Sequence, residues 1–136
     1  MKGSYLLLIK LHDYVSIKIG AMGKIPFKRG YYIYVGSAMG KKGSITLLNR
    51  VKRHIRPKEQ KSTHWHIDYL LNSEISQIIR IYLIPSPDRI ECYLASRLEE
   101  TAEEIIPKFG CSDCSCVGHL FYFSTNKGLS SFLGEA

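Results

Sequence analysis

Gly30-Tyr31-Tyr32-Ile33-Tyr34-Val35-Gly36-Ser37-Ala38 is the stretch on which the fold turns. Aromatic and β-branched residues run unbroken from Tyr31 to Val35 between two glycines, the composition of a strand, and residues 31–35 are predicted as one. Working outward, Gly3 to Leu11 is apolar enough for a central strand, and residues 15–19 alternate valine and isoleucine with serine and lysine, as a half-buried strand does. Gly20-Ala21-Met22-Gly23 breaks the chain, and Phe27 to Gly30 leads into the aromatic strand. The first third therefore reads as an antiparallel meander closed by glycine turns, Gly36 among them.

Beyond Ser44 the period changes. Ile45, Leu48, Val51 and Ile55 recur at three- and four-residue spacing, which predicts one apolar helix face, with Asn49, Arg50, Arg53 and His54 elsewhere on the helix and Pro57 beyond its end. Residues 64–71 read as a short helix and 75–84 as a buried, isoleucine-rich strand ending in Pro85-Ser86-Pro87. Asp88 is the expected cap of a helix over 88–106 with Ile90, Leu94, Leu98 and Ile105 as its stripe. Residues 120–123 return as a strand, and 129–133 form a short amphipathic segment. The sum is one α/β domain over residues 1–136, a mainly antiparallel central sheet flanked by helices.

At 136 residues the chain can bury one core but not two comfortable ones. Nineteen basic against 12 acidic residues leave a net charge of +7, and much of that excess lies at Lys41, Lys42, Arg50, Lys52, Arg53, Arg56, Lys58 and Lys61. Such a cluster is either a solvated face or a surface that gathers a polyanion, and its density favours phosphate binding, hence a nucleic-acid partner. The apolar run at residues 5–9 is interrupted by Lys10 long before it could span a bilayer, so no membrane partner is expected. The four cysteines, Cys92 and the group Cys111, Cys114 and Cys116, are spaced more like reduced intracellular thiols or a metal loop than a secreted disulfide framework. A cytoplasmic protein is expected.

Taken together, Tyr34-Val35-Gly36, the helix residues 47–54 with Arg50 followed one turn later by His54, and a weaker Gly3-Ser4-Tyr5 resemble the GIY-YIG nuclease superfamily. Serine replaces the isoleucine of the first motif, and the stretch between Tyr5 and Tyr34 is longer than in compact members, leaving room for an extra N-terminal strand or hairpin. Residues 65–71 (Trp-His-Ile-Asp-Tyr-Leu-Leu) and 112–121 (Ser-Asp-Cys-Ser-Cys-Val-Gly-His-Leu-Phe) resemble an atypical branch of that superfamily, so the resemblance covers nearly the whole chain.

The resemblance implies a GIY-YIG-like fold and a metal-dependent endonuclease acting on DNA, either structure-selective or directed by a partner protein. Arg50 would be the cation that forks onto phosphate oxygens, Tyr34 and Tyr5 would position or deprotonate the attacking water, and His54 would contact phosphate or move a proton. Glu91, or failing it Glu99, would hold magnesium or manganese. Gly36, Ser37, Lys41, Lys42 and Arg53 would contact substrate. Trp65 reads as core, and His66 and Asp68 as capping or structural hydrogen-bonding residues. Cys111, Cys114, Cys116 and His119 could hold a structural zinc, with buried thiols the more economical reading. The rival expectations are a nucleic-acid-binding module without catalysis and a zinc-stabilised interaction domain.

Overall fold

The computed structural model describes residues 2–40, 46–56, 65–110 and 118–125. Its central sheet has five strands, β1 (Gly3–Leu11), β4 (Gly30–Ala38), β5 (Ser76–Pro85), β6 (Glu104–Ile106) and β7 (Leu120–Phe123), in the order β5-β1-β4-β7-β6. Every pairing is antiparallel. Between β1 and β4 the chain makes a separate two-stranded sheet, β2 (Val15–Lys18) with β3 (Lys24–Phe27). The extra hairpin is thus present, but the continuous meander is not, because β1 pairs directly with β4 and the hairpin packs beside them.

The two-residue repeat of the strands distributes the core. Tyr5, Leu7, Ile9 and Leu11 of β1 share a face with Tyr32 and Tyr34 of β4, while Leu6 and Leu8 share the opposite face with Ile33 and Val35. Helices α1 (Leu47–His54) and α2 (His66–Leu71) cover the first face through Leu47, Val51, Ile67, Leu70 and Leu71. Helix α3 (Glu91–Thr101) covers the second through Ala95 and Leu98. With both faces covered, β1 is buried almost throughout, which is why it reads as an apolar run rather than an alternation.

Several boundaries differ from the sequence expectation for physical reasons. The buried face of α1 is Leu47, Val51 and His54, not Ile45, Leu48, Val51 and Ile55: Leu48 and Ile55 are about half exposed, and Ile45 lies outside the described residues. A histidine occupies the core position because a buried tyrosine hydroxyl meets it, which a hydrophobicity count cannot register. Helix α3 starts at Glu91 with Ile90, not Asp88, at its cap, and it stops at Thr101. Residues 104–106 instead extend the sheet beside β7, where the β-branched Ile105 and Ile106 are at ease. Strand β5 is an edge strand rather than a buried one, and Ile79 and Leu83 are exposed on it.

Candidate active site

The register of β1 against β4 sets Tyr5 opposite Gly36. Gly36 lies inside β4 rather than in a turn, and a Cβ there would run into the ring and hydroxyl of Tyr5. The glycine is therefore a space for a phenol and not a turn glycine, whether of the motif or of a plain hairpin. Two residues earlier on the same strand face, Tyr34 approaches the same ring, with centroids 6.3 Å apart.

Helix α1 brings its polar residues onto this pair. Thr46 Oγ1 accepts a hydrogen bond from the Asn49 N–H at 3.3 Å and so fixes where the helix starts. Seven residues after Leu47, His54 is wholly buried and its Nε2 lies 2.7 Å from the Tyr5 hydroxyl. The His54 ring is 5.4 Å from that of Tyr5 and 6.3 Å from that of Tyr34. Burial pushes the Tyr5 phenol well above its ordinary pKa, and the neighbouring Arg50 guanidinium pulls part of the way back. Burial likewise raises Tyr34, with the Tyr5 phenol and the carboxylates of Glu91 and Asp68 adding to the shift. Both phenols thus keep their protons at neutral pH, and in the His54 tautomer whose Nε2 is bare the Tyr5 hydroxyl donates to it.

Arg50 donates from Nη1 to the Ser37 carbonyl at 3.3 Å, so its contact with Ser37 is to the backbone and not to the hydroxyl. Its guanidinium carbon lies 4.4 Å from the centre of the Trp65 ring, and that of Arg53 lies 4.2 Å from the same centre. Arg53 also forks onto buried Asp68, with nitrogen to oxygen distances of 3.0 and 3.1 Å. Asp68 Oδ2 in turn accepts from the Trp65 backbone N–H at 2.8 Å, which starts α2. Asp68 is thus both cap and counter-ion. His66 has its pKa lowered by burial and accepts the Gly110 N–H at Nδ1, 2.9 Å away, a structural role. Trp65 is half-buried and held against two cations rather than packed as plain core, a contact that the sequence reading did not foresee.

Glu91 opens α3 with its side chain 13 % exposed. Its carboxylate is 3.3 Å from Arg89 Nη1 and 3.9 Å from Nδ1 of buried His119. It is close enough to raise both phenols electrostatically, whereas Glu99 is exposed two turns further along the helix. Three separate segments therefore bring Tyr5, Tyr34, Arg50 and His54 together, and a fourth sets the Glu91 charge beside them. Lys41, Lys42, Lys58, Lys61, Cys111, Cys114, Cys116 and residues 129–133 lie outside the described residues. Cys92 is disulfide-bonded, which corrects the expectation of reduced thiols. Among the described residues no three His, Cys, Asp or Glu side chains gather as a metal cluster, and no helix is long and apolar enough to cross a membrane.

The fold and this cluster define a small α/β domain in which a partly buried arginine meets buried tyrosines and a buried histidine at one end of an antiparallel sheet. The chain belongs to the family described as Domain of unknown function DUF123, whose model matches residues 4–136. No curated protein and no solved structure matches it.

Proposed function

We propose that this chain is a GIY-YIG-type nuclease that hydrolyses phosphodiester bonds in DNA with the help of a divalent cation. The observation that carries the reading is the convergence of a phenol, an imidazole and a guanidinium on one point: the Tyr5 hydroxyl is hydrogen-bonded to His54 and stands in the field of Arg50. Phosphodiester hydrolysis needs a path for the proton of the attacking water and positive charge on the phosphate oxygens. Tyr5 and His54 form the start of such a path. As the water loses its proton toward the phenol, the phenol passes its own to His54 Nε2, so no buried phenolate has to persist. Tyr34, edge-on to the same imidazole, helps orient the water. Arg50, always charged, binds the non-bridging oxygens and stabilises the charge that builds on them.

A single carboxylate suits magnesium or manganese, which keeps most of its waters and takes the remaining ligands from substrate phosphate. Glu91 fits that demand: its side chain is partly exposed and it begins a helix beside the phenols, within reach of Arg89 and His119. When bound, the ion supplies further charge neutralisation at the phosphate. Zinc at Cys111, Cys114, Cys116 and His119 is a weaker proposal.

The second reading, a binding module without catalysis, is favoured by the closure of the cluster: Tyr5 is 2 % exposed and His54 not at all. The exposed Lys52 on α1 and Arg56 just beyond its end would then do the binding. Cleavage of labelled duplex, flap, bubble and four-way-junction DNA with manganese or magnesium, beside EDTA, separates the two. Metal-dependent cutting is expected, reduced about 10²- to 10³-fold by Arg50→Ala, while Lys52→Ala weakens mainly salt-sensitive binding. Binding by the wild-type protein across the panel with no cutting would sink the catalytic reading.

A further inference from the structure

We propose that Trp65 is a positioning residue for Arg50, itself fixed by Asp68 through Arg53, and that this assembly holds the Arg50 cation in place without neutralising it. The inference rests on the reading that Arg50 meets the phosphate. Two arginines one turn apart on α1 share one indole, yet their charges are handled differently. Arg53 is spent on Asp68, a fully buried carboxylate that grips it with both oxygens. Arg50 makes no ion pair among the described residues; it is held by the Ser37 carbonyl at 3.3 Å, by the Trp65 ring at 4.4 Å and by the Tyr5 hydroxyl beside it.

A carboxylate partner would hold a guanidinium still and cancel the charge that phosphate needs. An indole face holds it by its quadrupole and leaves the charge in place. An arginine left on a long flexible stem would instead have to lose that freedom when substrate arrives. The ring can serve only if it is itself fixed, and Asp68 does this twice: it accepts the Trp65 N–H at 2.8 Å and clamps Arg53 against the same ring. The indole is therefore committed to cations and is not a platform for stacking a base.

Two observations make the inference testable without activity. Arg50 Nε is buried and makes no hydrogen bond among the described residues, so its N–H is shielded from solvent, and it lies beneath an aromatic ring. Its ¹⁵N–¹H resonance in the full chain, assigned through Arg50→Lys, is expected to be displaced upfield. Trp65→Leu should return it to the ordinary arginine position, Trp65→Phe should retain part of the displacement, and Asp68→Asn should move it in the same direction as Trp65→Leu. On the DNA form that the cleavage panel selects, Trp65→Leu should lower kcat on the order of 10- to 100-fold with KM nearly unchanged, and Trp65→Phe should recover most of the loss.

An Arg50 resonance that Trp65→Leu leaves unmoved overturns the proposal, as does a rise in KM with kcat intact, which would make Trp65 a binding residue. If the wild-type protein cuts nothing while the resonance moves as described, the nuclease reading fails and the positioning of Arg50 by Trp65 stands.

Discussion

Tyr32 and Tyr34 sit two residues apart on one face of β4, and the two ends of that face make opposite uses of the same side chain. At the Tyr32 end, the ring packs against Tyr122 at 5.0 Å and Phe27 at 5.9 Å, and both hydroxyls donate to backbone carbonyls, Tyr32 to Lys28 at 2.8 Å and Tyr122 to Arg29 at 2.7 Å. Those phenols tie down the connection between β3 and β4. At the Tyr34 end, Tyr5 bonds an imidazole instead, and the surrounding charges belong to Arg50, Glu91 and Asp68. A backbone carbonyl can hold a proton donor but cannot take its proton; an imidazole can. Burial is common to both ends, and on the proposed nuclease reading it is the identity of the hydrogen-bond partner that separates scaffold from chemistry.

The sharpest way to break the comparison is to remove one hydroxyl from each end. Tyr5→Phe should lower kcat about 10²-fold or more, the usual worth of a positioned proton-transfer group. Tyr32→Phe should leave kcat of the folded protein within about twofold and cost about 1 kcal/mol of stability, the net value of one hydrogen bond. DNA cleavage rates and urea midpoints for the two variants check both halves. Equal kcat losses would show that the Tyr5 hydroxyl supports structure alone.

Glycines repeat the contrast at smaller amplitude. A Cβ at Gly36 strikes the Tyr5 ring, and one at Gly30 meets the Tyr122 ring at 2.8 Å with φ at +145°, a conformation that side chains avoid. Each alanine substitution should cost about 1–3 kcal/mol through overpacking or strain. Only Gly36→Ala should also lower kcat, because the side chain it displaces is the one bonded to His54. Thermal denaturation beside single-turnover cleavage distinguishes them, and unchanged turnover in folded Gly36→Ala would detach Tyr5 from the reaction.

The sequence disclosed strands and their order of composition more readily than the environment around them. β1, β4 and β7 were legible because residues buried on both faces produce apolar or aromatic runs, and the helix around Arg50 because valine and leucine recur along it. The face of that helix was misjudged because one of its core residues is His54, whose burial depends on Tyr5, 49 residues earlier. The edge position of β5 and the strand at residues 104–106 depend on pairings with distant segments, which no local window contains. Tyr5, Tyr34, Arg50, His54 and Glu91 stood out through resemblance to a motif. Trp65 did not, since an indole beside a helix reads as core until the two guanidinium groups at its face are located.

The smallest effect is one in which the two ends should behave alike. Burial raises the pKa of Tyr5, Tyr34 and Tyr32, so the folded state holds these protons more tightly than the unfolded chain does. Above the ordinary phenol value of about 10 the unfolded chain loses its protons first, binds fewer of them, and is favoured as pH rises. Stability is therefore full below about pH 10 and falls above it, by about 1.4 kcal/mol per pH unit for each phenol that remains protonated only when folded. Tyr32→Phe and Tyr34→Phe should each flatten that decline to a similar degree, because desolvation is the leading cause at both. Urea midpoints followed between about pH 8 and pH 11 test this. A flattening by Tyr34→Phe alone would mean that the Tyr32 end opens before its phenol titrates, making the scaffold end the looser of the two.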